Sequence, residues 1–164
     1  MNKTQRLTRM AVLVAIGTIS SNIVSIPTGI AKAFPIQHAI NVIAAVMLGP
    51  IPAVTVAFAI ALLRNLLGAG TLLAFPGGMI GALLAGLVYQ RIKRTWGAWI
   101  GEVFGTGVIG SFLSVPFAQL FMGKSVGALA FLPSFLTSTI IGASIGWIVV
   151  GVIQRSTNPL IQRN

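Results

Sequence analysis

Two polar clusters and several single polar groups interrupt an otherwise apolar chain, and each is of a type that binds rather than reacts. Gln37, His38 and Asn41 lie within five residues of one another. If that segment is helical, Gln37 and Asn41 are four apart and share a face, with His38 beside them. Two amides and a neutral imidazole supply hydrogen-bond donors and acceptors without net charge. Arg64 and Asn65 form the second cluster, followed by a Gly-rich turn and Phe75-Pro76-Gly77-Gly78. Asn22, Gln119, Ser134, Thr137 and Ser138 add single polar groups from other segments. Phe34 and Phe75 flank the first two clusters and are placed to stack on, or close over, a flat ring. The combination suits a small heteroaromatic solute that is neutral or nearly so. A carboxylate or phosphate on that solute would call on Arg64.

Catalysis has little to work with. The chain has no Cys, one His and one acidic residue, Glu102. Thiol chemistry, a Cys-ligated metal and a carboxylate-bound metal pair are therefore excluded, and a serine nucleophile would have only His38 as its base. No cofactor or metal site is expected. Gly105-x-Gly107-x-x-Gly110 matches the dinucleotide fingerprint by letter, but that fingerprint requires a strand–turn–helix unit, and here it falls inside an apolar helix. Gly123-Lys124-Ser125 resembles the end of a phosphate-binding loop, yet position 118, where the first glycine belongs, is Ala. Both are read as packing or turn segments, and the chain as a non-enzyme.

The elements that must position these groups are membrane helices. The 164 residues are 55% hydrophobic and 7% charged, with a mean hydropathy of +0.95; soluble domains carry about 25% charged residues. The net charge of +10 does not indicate nucleic acid, because the basic residues sit at the ends of apolar runs. The expected architecture is an all-α integral membrane protein, a single domain over 1–164 with six transmembrane helices at about 7–26, 36–48, 52–67, 76–91, 96–122 and 128–154. Pro116 is expected to kink the fifth.

With six spans both termini share a side. That side holds Lys3, Arg6, Arg9, Arg91, Lys93, Arg94, Arg155 and Arg163, against Lys32, Arg64 and Lys124 elsewhere. Lys and Arg favour cytoplasmic loops, so both termini are expected in the cytoplasm, with the chain multi-pass in the plasma membrane. Trp96 and Trp99 beside Arg91–Arg94 fit an interfacial belt. Small residues at Gly97/Gly101/Gly105, Gly78/Ala82/Gly86 and Gly142/Gly146 form ridges that let helices approach closely.

Depth counted at about 1.5 Å per residue puts Asn22, Gln37, His38, Asn41, Arg64, Asn65, Gln119, Ser134, Thr137 and Ser138 all near the outer face. Two readings of that cluster stand: interfacial anchoring with inter-helix hydrogen bonds, or a ligand pocket open to the outside. Glu102 is expected apart from it, in the inner part of the fifth helix, paired with a cytoplasmic-side Arg or protonated.

Six short spans, cytoplasmic termini and an outward-facing site resemble the substrate-binding S component of an energy-coupling factor (ECF) vitamin transporter. Ala11 and Ala15 match that family's Ala-x-x-x-Ala signature on helix 1. The resemblance implies that they pack on a transmembrane T component, and that two cytoplasmic ATPases drive transport. Residues 34–41 and 64–78 carry a closer resemblance to the ThiW group, which implies uptake of a thiamine precursor, hydroxyethylthiazole first. Another vitamin or heterocycle is the nearest alternative; a membrane scaffold or a channel is the more distant one.

Overall fold

In the computed structural model the chain is a bundle of helices; the structure describes residues 2–27, 32–123, 127 and 129–156, leaving aside the side chains of Ser21, Asn22, Pro27 and Lys32. The helices are α1 (Lys3–Ile23), α2 (Pro35–Leu48), α3 (Pro50–Leu66), α4 (Ala74–Ile92), α5 (Thr95–Met122) and α6 (Leu132–Ser156). Among the described residues the non-helical ladder is one antiparallel pair of two-residue strands, β1 (Ile26–Pro27) and β2 (Lys32–Ala33), ahead of α2.

The boundaries move from the expected ones for local reasons. α1 begins four residues early because Asn2 and Gln5 form a reciprocal capping box. α2 and α3 are separated by Gly49 alone, whose φ of +91° suits a residue without a side chain. Pro50, like Pro35, occupies a first turn, where its missing N–H costs no helical bond. α6 begins at Leu132 instead of 128. Gly123-Lys124-Ser125, read from sequence as a turn, lies mostly outside the described residues.

α5 and α6 are long and apolar enough to cross a membrane; α2 and α3 are shorter apolar helices. Leu, Ile, Val and Phe side chains cover much of the exterior, among them Leu7, Ile16, Ile19, Phe104, Leu120 and Ile148. α2 is the central element: nine of its fourteen residues are buried. Pro116 lies within α5, and upstream of it Val103–Gly110 is π-helical.

Glycines set the two tightest seams. On α5, a methyl group added at Gly101 would press on Ala85 of α4, one at Gly105 would lie 2.7 Å from the Gly81 Cα, and one at Gly110 would meet Gly77. The α4 row in that seam is Gly77–Gly81–Ala85. The sequence row Gly78–Ala82–Gly86 is shifted by one: Gly78 faces open space and Gly86 packs on Pro50 of α3. Gly142 and Gly146 of α6 lie against the backbone of α2 at Pro35 and Ala39. Gly105 and Gly107 of the dinucleotide-like motif face two different helices, α4 and α6, which makes the motif a packing device. On the other side of the bundle, Gly17 of α1 leaves the space that Ile60 of α3 fills.

Candidate functional site

The site is built on α2, whose Pro35 start positions Gln37, His38 and Asn41 within two turns. Gln37 and Asn41 share a face, as their spacing requires, and both line a cleft between α2, α3 and α4. Ala57, Ile60 and Ala61 of α3 form its apolar wall, and Ala74 and Gly78 of α4 complete it. The cleft is narrow: about 220 Å³ in all with its open mouth, with interior room for about one water.

His38 turns the other way, into the helix seam. Its Nδ1 lies 2.8 Å from Glu102 Oε1. The same carboxylate oxygen accepts from Asn41 Nδ2 at 3.1 Å and from Thr106 Oγ1 at 2.9 Å. Thr106 sits one turn beyond Glu102, on the π-helical stretch of α5, and also approaches the Gly77 carbonyl at 3.0 Å. Asn41 Nδ2 also donates to the Gly78 carbonyl at 3.1 Å. Glu102 has no exposed surface, and its Oε2 is buried without a hydrogen-bond partner.

Arg64 closes the other end. It is 1% exposed, so it does not reach water as a terminal arginine in a bilayer would. Its Nη1 donates to Gln37 Oε1 at 2.6 Å and its Nη2 to the Ala69 carbonyl at 3.1 Å. The guanidinium lies 4.1 Å from the centre of the Phe34 ring, a cation–π contact. Its Nε has no partner. Phe34 is held in turn by its backbone N–H, which donates to Ser138 Oγ at 2.9 Å.

These contacts fix proton positions. A guanidinium only donates, so Gln37 must present its oxygen to Arg64 and its NH₂ to His38 Nε2, 3.1 Å away. His38 therefore accepts at Nε2 and donates from Nδ1 to Glu102. The result is a continuous relay, Arg64–Gln37–His38–Glu102, with a cation at one end and the chain's one acidic side chain at the other. The arrangement offers oriented amides beside an apolar wall, which is recognition chemistry.

The structure brings together Phe34, Gln37, His38, Asn41, Arg64 and Ser138 of the residues singled out from sequence. Ser134 is buried. Others fall elsewhere. Asn65 donates to the Ala61 and Thr71 carbonyls and braces the α3–α4 hairpin. Phe75 meets Phe58 edge-on at 5.7 Å. Gln119 and Thr137 are exposed. The side chain of Asn22 lies outside the described residues. Ala11 and Ala15 are both exposed on α1.

Glu102 corrects the sequence reading: its partner is His38, in the same network as the polar groups of α2. Depth counted from helix ends misplaced it because α2 has only fourteen residues, about 21 Å. Asn41 is seven residues from the Leu48 end of α2, and Glu102 seven from the Thr95 start of α5, so the two are level. Thr106 and the cleft wall at Ala57, Ile60 and Ala61 carry no sequence signal beyond ordinary helix composition.

The family model for thiamine-precursor transporter protein (ThiW) matches residues 7–156. The chain belongs to the ThiW family. No individually curated protein matches it. Among solved structures, the fold is similar to that of the S component of a bacterial ECF transporter, with a TM-score of 0.70 and 19% identity, covering 99% of this chain and 100% of that one. At that identity the likeness speaks for the fold. This ThiW-family chain thus shares its helical architecture with an S component, and its polar relay lies inside that architecture.

Proposed function

We propose that this chain is the substrate-capture subunit of an ECF-type importer for a thiamine precursor, hydroxyethylthiazole. The observation that carries the reading is the cleft between α2, α3 and α4, where the Gln37 and Asn41 amides face the Ala57–Ile60–Ala61 wall. A flat, neutral ring with one hydroxyl matches that pairing of apolar face and amide edge. Membership of the ThiW family supports the substrate class, and likeness to an S component supports the division of labour. In this reading six helices span the plasma membrane with both termini cytoplasmic. The exposed Ala11 and Ala15 meet a transmembrane T component, and two cytoplasmic ATPases supply the work.

Capture requires the walls to part, because the cleft as it stands has room for about one water. The ring then lies on the α3 wall, while Gln37 and Asn41 read its nitrogen and hydroxyl. Arg64, Phe34 and Ser138 hold the start of α2 in place and define the mouth.

The test is calorimetry on the detergent-purified full chain with hydroxyethylthiazole, thiamine and the pyrimidine precursor. The expected result is stoichiometric binding of the thiazole alone. No heat with any of the three, in protein shown to be folded, would overturn the substrate; failure of a wider vitamin panel would leave a scaffold role.

A further inference from the structure

Arg64 is the residue that a phosphorylated solute would be expected to use, and its surroundings argue that it is not available. An arginine reads a phosphate with a pair of parallel N–H groups. Here one N–H of Nη1 donates to Gln37 and one of Nη2 to the Ala69 carbonyl, Phe34 covers the guanidinium, and the residue is 1% exposed, so its remaining N–H groups, that of Nε among them, are enclosed. The guanidinium acts as a latch between the α3–α4 hairpin and the start of α2.

Arg64 and Glu102 are 1% and 0% exposed. They are joined through Gln37 and His38 by contacts of 2.6, 3.1 and 2.8 Å. No other acidic side chain exists in the sequence. Among the described side chains the relay therefore balances: one cation, one carboxylate, and uncharged groups between them. A phosphate monoester carries about −1.5 to −2 at pH 7. Placed beside this relay it would add anionic charge in a low-dielectric interior, and among the described side chains no further cation joins the relay to meet it.

We infer that the cleft selects the uncharged, unphosphorylated solute, and that Glu102 sets this selectivity without touching the solute, by neutralising Arg64 through Gln37 and His38. The inference rests on the capture reading above and adds the charge class of the substrate. Glu102 is a positioning residue. Its removal as a charge leaves Arg64 unbalanced and makes the region attractive to anions.

The experiment compares hydroxyethylthiazole with its phosphate monoester, by calorimetry on the full chain in detergent. The wild-type chain is expected to bind the alcohol at least about 100-fold more tightly than the ester. Glu102→Gln keeps the acceptor that His38 needs and removes the charge, and is expected to narrow that ratio at least about tenfold. Arg64→Lys is expected to weaken both ligands alike. An ester that binds the wild-type chain as well as the alcohol overturns the inference. So does an unchanged ratio in Glu102→Gln, or a loss in Arg64→Lys confined to the ester. A wild-type chain that binds neither overturns the thiazole reading instead. The charge balance has its own ligand-free readout. The double variant Arg64→Met/Glu102→Gln is expected to unfold at a higher temperature than either single variant, and equal or lower stability overturns the balance.

Discussion

His38 Nδ1 and Glu102 Oε1 lie 2.8 Å apart and join the chain's single histidine to its single acidic side chain. The contact links α2 to α5 across a separation of 64 residues. Each group is expensive to bury alone, and each satisfies the other. The same carboxylate oxygen also receives Asn41 and Thr106, so one atom fastens three side chains on two helices.

Glu102→Ala is accordingly expected to destabilise the chain. It strips His38 Nδ1 of its acceptor and leaves Asn41 and Thr106 with the Gly78 and Gly77 carbonyls alone. A buried donor left unsatisfied costs about 1–3 kcal/mol, which should appear as a clear fall in unfolding temperature. A change within error would mean that water or rearrangement replaces the carboxylate.

Filling the cleft should separate binding from folding. Ala57→Leu adds three carbons to a wall whose neighbours leave room for about one water. Solute affinity is expected to fall at least about 100-fold, while overpacking costs about 1–3 kcal/mol. Calorimetry and thermal unfolding on the same preparation would show this. Undiminished affinity would place the solute elsewhere.

The hairpin brace gives the opposite pattern. Asn65→Ala loses bonds to the Ala61 and Thr71 carbonyls and is expected to cost about 1 kcal/mol of stability with affinity intact. Gln119→Ala and Thr137→Ala, at exposed positions, are expected to change neither quantity.

The α4–α5 seam predicts a contrast between neighbouring glycines. Gly105→Ala would put a methyl group 2.7 Å from the Gly81 Cα and is expected to destabilise by about 1–3 kcal/mol. Gly78→Ala meets nothing within 4 Å; relieving a mid-helix glycine, it is expected to be neutral or stabilising by up to about 1 kcal/mol. Equal effects would mean that the seam is looser than described.

Topology is directly measurable because the chain has no cysteine. Arg94→Cys and Thr71→Cys, both at exposed positions, are expected to label from opposite sides of the membrane, Arg94→Cys from the cytoplasmic side. Labelling of both from one side would overturn the proposed arrangement of spans.

Much of this structure can be read along the chain. Apolar runs bounded by Pro35, Gly49-Pro50 and Pro76 locate α2, α3 and α4 to within a few residues. The spacing of Gln37 and Asn41 places them on one face. Harder to see is anything set by relative depth. Arg64 sits near a helix end, where an arginine ordinarily reaches for water, and only the fold reveals that Phe34 and Ala69 enclose it. Glu102 looks remote from His38 if every helix is given the same full length; α2 has fourteen residues. The best clue was chemical, since a lone histidine and a lone acid in an apolar chain need partners. The cleft wall at Ala57, Ile60 and Ala61 is invisible in sequence because alanine and isoleucine are what any such helix contains.

Gly17 gives the bundle a lever. Its missing side chain lets α1 rest directly on Ile60, and Ile60 is also a wall of the cleft. Two residues before it on the same helix, Ala15 is exposed. A close-packed interior passes displacement from atom to atom with little loss. Pressure applied to the outside of α1 would thus reach the wall of the cleft through one side chain, Ile60, while glycine seams and the shared Glu102 oxygen join α2, α4, α5 and α6 into one packed body.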